Sequence, residues 1–176
     1  LRLPAYTGSV WRGAFGHALK RLACVTREPA CPPCLLYRTC IYPYLFEIPP
    51  DPSAGKLTQY PAAPHPFLLI PDAHGGSIDA GEFLALTVHL FGHGNRHAPY
   101  VVHALSQAGQ HSLNKDRGTL ELEQVMQADG DDWRPIYAPE QDLAALPAAI
   151  PAAPPCPERL TLRLNTPLRL NHEERL

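Results

Sequence analysis

The chain has 176 residues and a formal net charge of −2, with 45% hydrophobic and 18% charged residues. That composition suits one folded globular domain with room for the start of a second, and excludes a disordered chain. No run approaches the roughly 18 apolar residues of a membrane span, and no basic segment leads into a signal-peptide core. Cytoplasm is therefore the default location, although an opening on Leu1 rather than Met leaves room for a leader lost upstream. The charge is unevenly spread. Residues 1–44 carry Arg2, Arg12, Lys20, Arg21, Arg27 and Arg38 against Glu28 alone, whereas residues 45–158 carry five basic and fourteen acidic residues. A phosphate backbone responds to the local field, so the basic N-terminal end is where a nucleic acid would sit; a solvated basic surface is the other reading.

In chain order, Leu1–Pro4 reads as the end of a strand, and Thr7-Gly-Ser9 as a side-chain cap for a helix. From Val10 to Cys24 the apolar residues Val10, Ala14, Phe15, Ala18, Leu19 and Leu22 recur at helical spacing, with Arg12, Lys20 and Arg21 on the opposite side. Residues 24–44 form a compact Cys- and Pro-rich insert, and residues 48–64 a loop. Pro66–Pro71 and Glu82–Phe91 read as strands around a turn at Ala73–Ser77. A second helix runs from Arg96 to about Gly109 on a stripe of Val101, Ala104, Leu105 and Ala108. Thr119–Val125 alternates apolar and acidic residues, as a half-buried strand does. Strand, helix, strand, strand, helix, strand is the order of an α+β, ferredoxin-like (RRM-like) domain. It would occupy residues 1–128, followed by an Ala/Pro-rich linker over 129–157 and the first strand of a truncated second ferredoxin-like domain over 158–176.

Cys24, Cys31, Cys34 and Cys40 follow a Cys-x6-Cys-x2-Cys-x5-Cys spacing. A Cys-x2-Cys turn aims two thiolates at one ion, and two flanking thiolates complete a tetrahedron. Soft thiolates select zinc, read ahead of an iron–sulfur cluster; disulfides or reduced thiols are the other readings, the former disfavoured in a cytosol. The metal would be structural, folding an insert too small for its own core. Cys156 reads as an incidental thiol. His89, His93 and His97 are spaced by four, but Gly92 and Gly94 break any helix that would align them. His65, between two prolines, reads as holding a strand entry, and His103 and His111 as exposed on the second helix. Arg12 is suited to a two-point phosphate contact. Trp11 and Tyr42 suit either base stacking or burial.

Leu3–Lys20 resembles the first helix of the RAMP-superfamily CRISPR-associated repeat-RNA (pre-crRNA) endoribonucleases. Cys40-Ile-Tyr-Pro-Tyr-Leu-Phe-Glu47 is similar to the end of the insert in their Cys-rich sub-group. Pro64–Phe67, Leu90–Gly92 with Ala98–Tyr100, and Asn165–Arg169 match further along. Where that family has a Gly/Arg run, this chain has Gln110–Gly118, which keeps Lys115 and Arg117. The resemblance implies an antiviral-defence hydrolase that binds CRISPR repeat RNA or crRNA, with or without other effector subunits and with no membrane. It would cleave without a catalytic metal, by attack of a ribose 2′-hydroxyl on the adjacent phosphate. His17 would then be the proton-transfer group, or else a packing or capping residue; Lys20 would stabilise the phosphorane and Tyr6 assist proton transfer. Arg12, Arg21, Lys115 and Arg117 would contact RNA. The alternatives are a non-catalytic crRNA-holding subunit and a purely structural zinc-binding module.

Overall fold

The computed structural model describes residues 1–49, 64–72, 75–111, 113, 118–148, 150 and 152–163. Lys115, Arg117, Asn165–Arg169 and most of the loop over 48–64 lie outside the described residues. The described elements are β1 (Arg2–Leu3), α1 (Gly8–Ala23), α2 (Ile41–Phe46), β2 (Phe67–Pro71), β3 (Gly76–Ser77), β4 (Leu86–Leu90), a 3-10 turn (Gly92–His97), α3 (Ala98–Gln110), β5 (Val125–Asp129) and β6 (Asp132–Tyr137). The chain is thus a mixed α and β protein with small antiparallel sheets. Its described strands pair as β1–β3, β2–β4 and β5–β6. No described helix is long and apolar enough to cross a membrane.

Helix α1 begins when the Trp11 amide donates to the Thr7 carbonyl at 3.0 Å. The expected side-chain cap is not made. Thr7 has helical dihedrals (φ −92°, ψ −15°) rather than the extended ones that aim a capping hydroxyl at the first amides. One stripe of α1, formed by Trp11, Phe15, Ala18 and Leu19, is buried, with Phe15 and Leu19 fully so. Small residues let α3 come close on this side: Ala18, Ala104 and Ala108 share a core cluster with Phe15, Leu19, Leu45, Phe67 and Val101. Helix α2 lies across α1 at Gly16, where a Cβ would sit 3.1 Å from the Phe46 ring.

The β2–β4 hairpin supplies the other wall. Its register sets Phe67 opposite Leu90 and Leu69 opposite Val88, and these four side chains pack on the helices. Because successive strand residues face opposite sides, Leu68 and Ile70 point out and stay about half exposed. A second cluster joins Leu3, Trp11 and Leu113 with Leu69, Leu86 and Leu120.

Three sequence expectations are corrected. Thr119–Gln124 is not a strand, and β5 starts only at Val125. The alternation is real, since Leu120 and Leu122 are half-buried between exposed neighbours, but that pattern fixes a face and not a ladder partner. The Leu120 amide donates to the Gly109 carbonyl at 3.0 Å, which lays this segment along the end of α3. The linker does not begin at 129, because β5 and β6 turn at Gly130 (φ +66°) as a hairpin. The chain is then tied back: Gln127 accepts from the Leu146 amide at 2.9 Å and donates to its carbonyl at 3.2 Å. Third, residues 159–163 carry no strand.

Candidate functional site

Helix α1 distributes its polar residues over two directions. With about 100° per residue, Arg12, Gly16 and Lys20 share the side that α2 covers. The Arg12 guanidinium lies 5.3 Å from the Phe46 ring centroid and 5.2 Å from that of Phe67. The Lys20 ammonium lies 5.4 Å from the Tyr42 centroid, and Tyr42 stacks on Phe46 at 5.4 Å. Cation–π contact and aromatic packing hold these side chains. His65 stacks on Phe67 at 5.9 Å. Burial first, and then the Arg12 charge, push its imidazole below the ordinary range, against a backbone hydrogen bond at Leu45. His97, tilted against Tyr44, is lowered by burial and then by Arg96.

The next strip of α1 opens on a groove of about 470 Å³, lined by Ser9, Val10, Gly13, Ala14, His17 and Arg21. Ala108, His111 and Leu113, at and beyond the end of α3, close its other side. No carboxylate lines it among the described residues. His17, Arg21 and His111 are exposed to solvent there, and a Cβ added at Gly13 would meet nothing within 4 Å, so the floor is open. The groove can therefore present two imidazoles and a guanidinium to an anion. His111 was missed as a site residue in the sequence. Its only signal there is the Ala104 and Ala108 stripe, which marks where α3 approaches α1.

The four cysteines converge on a different place. Cys24, Cys31, Cys34 and Cys40 all line one small cavity of about 20 Å³, about the room one water needs. All four are half-buried and unpaired by disulfides. The Cys34 amide donates to the Cys31 carbonyl at 2.9 Å, closing the Cys-Pro-Pro-Cys turn. The Leu36 amide then donates to the Cys34 sulfur at 3.4 Å, and Thr26 Oγ1 lies 3.4 Å from the same sulfur. Burial and the neighbouring Glu47 carboxylate push the Cys31 thiol up to about 11, against the Lys20 charge. Among the described residues no three His, Cys, Asp or Glu side chains stand close enough together to hold a metal ion. The insert thus gathers the thiols round one space without drawing them to ligand distance.

Of the expected site residues, the structure brings His17 and Arg21 together and gathers the four insert cysteines. It separates Lys20 from the His17 groove by turning it onto Tyr42 beside Cys31. Tyr6 is exposed and lies over Gly8 at the head of α1. Trp11 is buried rather than open to a base. Cys156 is exposed and apart from the insert cavity.

A family model described as "AF_1859_N: N-terminal domain" matches residues 1–149. A relative from Archaeoglobus fulgidus, bearing the name "Uncharacterized protein", is 26% identical over 136 residues, which is 77% of this chain and 44% of the relative. The chain thus spans less than half the length of that relative. No solved structure matches.

Proposed function

The chain belongs to the AF_1859_N N-terminal domain family; from the resemblance carried by Leu3–Lys20 and Cys40–Glu47, we propose that it is the RNA-binding and RNA-cleaving N-terminal domain of a RAMP-type, CRISPR-associated repeat-RNA endoribonuclease. The observation that carries this reading is the α1–α3 groove, where His17 and Arg21 stand one helical turn apart with no carboxylate among the described lining residues. A guanidinium binds a phosphate through paired donors. An imidazole, the side chain whose ordinary pKa lies nearest neutrality, can take a proton from the neighbouring 2′-hydroxyl. The hydroxyl oxygen then attacks phosphorus, leaving a 2′,3′-cyclic phosphate and a 5′-hydroxyl, chemistry that requires no metal. The basic N-terminal end of the chain supplies the attraction for the rest of the backbone.

Setting aside α2 and β3, the order β1–α1–β2–β4–α3 followed by the Thr119–Val125 segment is taken as that of a ferredoxin-like domain, whose described strands pair as three two-stranded ladders. A second such domain would follow in the full-length protein. Cys24, Cys31, Cys34 and Cys40 are read as ligands of one structural zinc ion. The gathered thiols and the N–H···S contact at Cys34 support this, because a thiolate gains from such donors. When bound, zinc would fold the insert and support α2; it takes no part in RNA cleavage. The protein would work in the cytoplasm on CRISPR repeat transcripts, with or without other effector subunits.

The test uses the full-length protein and an RNA carrying the CRISPR repeat of its own host. His17→Ala should abolish cleavage while leaving affinity within about twofold, because a proton-transfer group acts mainly in the transition state. Equal cleavage by the variant would refute the site. The separation of Lys20 and Tyr6 from His17 favours one second reading, a subunit that holds guide RNA without cutting it. That reading predicts salt-dependent RNA binding with no cleavage by the wild type. The absence of salt-dependent RNA binding would leave a structural zinc-binding module instead.

A further inference from the structure

We propose that His111 is a second catalytic residue of the α1–α3 groove, exchanging protons with a phosphodiester opposite His17 while Arg21 holds the phosphate. This deepens the endoribonuclease reading and rests on it. Three observations support the assignment. First, His17, Arg21 and His111 come from two elements, yet line one groove. Ala18, Ala104 and Ala108 bring those elements close enough to share it. Second, one nitrogen of the exposed His111 ring has a backbone partner. Its Nδ1 lies 2.8 Å from the Gln107 carbonyl oxygen, one turn back in α3. A carbonyl only accepts, so Nδ1 carries the hydrogen and donates. The proton that the ring gains or loses is then on Nε2. A backbone carbonyl holding one imidazole nitrogen in this way defines the tautomer that acid–base work needs. Third, the rest of the lining leaves room for a nucleotide, with no carboxylate among the described lining residues to repel its phosphate. Val10, Ala14 and Leu113 give apolar walls, and the floor at Gly13 is open to something larger than a water.

The step balances with two imidazoles in opposite protonation states. The neutral ring takes the proton of the 2′-hydroxyl as the O2′–P bond forms. The protonated ring gives its proton to O5′ as the P–O5′ bond breaks. The products are a 2′,3′-cyclic phosphate and a 5′-hydroxyl, no water is consumed, and the two rings end with their states exchanged. Arg21 keeps its charge throughout and neutralises the non-bridging oxygens. Lys20, which the sequence offered for that task, is engaged on Tyr42 instead.

The experiment measures single-turnover cleavage by the full-length protein of an RNA carrying its host's CRISPR repeat. His111→Ala should slow cleavage about 100-fold or more, within the usual range for a lost acid or base, with RNA affinity within about twofold. A second substrate carries sulfur in place of the bridging O5′ at the scissile phosphate. A thiolate leaves without a proton, so this substrate should rescue one of the two variants, His17→Ala or His111→Ala, and not the other. Gly13→Leu fills the groove beside His17 while leaving both imidazoles in the chain. It should abolish cleavage without lowering the melting temperature. If His111→Ala cleaves like wild type while His17→Ala is inactive, this proposal falls and the endoribonuclease reading survives. Rescue of both variants or of neither overturns the acid–base pair. Full cleavage by Gly13→Leu removes the groove as the site. A wild type that binds the RNA and never cuts it overturns both readings.

Discussion

Gly13 and Gly16 lie three residues apart on α1 and face different surroundings, so the same substitution should have opposite effects. An alanine in a helix interior is worth about 0.8–1.0 kcal/mol over glycine, from backbone entropy. At Gly13 nothing opposes the gain, since a Cβ there meets no heavy atom within 4 Å. Gly13→Ala should therefore raise stability by about 1 kcal/mol, or about 2–4 °C in Tm for a chain of this size. At Gly16 the new methyl would sit 3.1 Å from Phe46 Cε1 and 3.3 Å from its Cζ. Phe46 cannot swing freely, because it is packed on Phe15, Phe67 and Tyr42 and carries Arg12 on its face. Forcing extra volume into such packing costs about 1–3 kcal/mol. After the helix gain, Gly16→Ala should be destabilising by about 0–2 kcal/mol. Urea denaturation followed by circular dichroism reads both midpoints, provided the slopes match. If both variants are stabilised by the same amount, α2 does not seat on α1 at Gly16, and the support proposed for Arg12 fails with it.

Elemental analysis of the purified protein should find about one zinc per chain; a metal-free, folded protein with all four insert thiols reactive would remove the metal. Stability should fall with acidity below the ordinary histidine value of 6.5. His65 and His97 are both lowered by burial, so the unfolded chain binds protons that the folded one refuses. The contribution is complete above that ordinary value and is lost as pH falls toward the folded values. A denaturation midpoint flat from about pH 7.5 to about 5.5 would contradict it. Arg21→Ala should weaken binding of any RNA sequence and lower the salt slope by about one unit. Arg12→Ala should instead lower stability by about 0.5–2 kcal/mol, through the contacts over Phe46 and Phe67; equal loss of RNA binding in both variants would place Arg12 back in the groove.

Periodicity carried most of the helical framework. Val10 to Leu22 and Val101 to Ala108 show their stripes in the sequence because a helix with one buried side must repeat its apolar residues every three or four positions. The β2 strand was legible for a similar reason, as a short apolar run bounded by prolines. What could not be read was pairing. Thr119–Val125 alternates as a strand does, yet alternation records only which side is buried. Its backbone is held by Gly109 rather than by a neighbouring ladder. The β5–β6 hairpin escaped notice because Val125–Asp129 and Asp132–Tyr137 carry charged and exposed residues with one buried side chain, Ile136. Pro135 also weakens the second of them as a strand signal. In the insert, Cys-x2-Cys forms a tight local turn and the four thiols line one cavity, but among the described residues they do not stand at the ligand distance that the spacing predicts. That His111 lines the same groove as His17 was not legible, because it is ninety-four residues away in sequence, and only the packing of α1 on α3 joins them.

The division of α1 explains why its basic residues do not act as one surface. A charge pattern along a helix shows which residues are polar but not what covers each side. Once α2 crosses at Gly16, any long side chain at positions 12 and 20 must lie along its aromatic rings. A guanidinium or ammonium there stays favourable only because the rings offer a negative face. The Lys20 charge also lowers the Cys31 thiol, against burial and Glu47, so this cation lies on the insert side of α1 and not in the groove. One step round the helix no described residue lies within 4 Å of a Cβ at Gly13, His17 is exposed, and Arg21 is the basic residue of α1 that lines the groove. The position of α2 thus sets how many charges of α1 are available to a phosphate. Because Cys40 is the residue from which α2 starts, loss of order in the insert should release Arg12 and Lys20 from their rings.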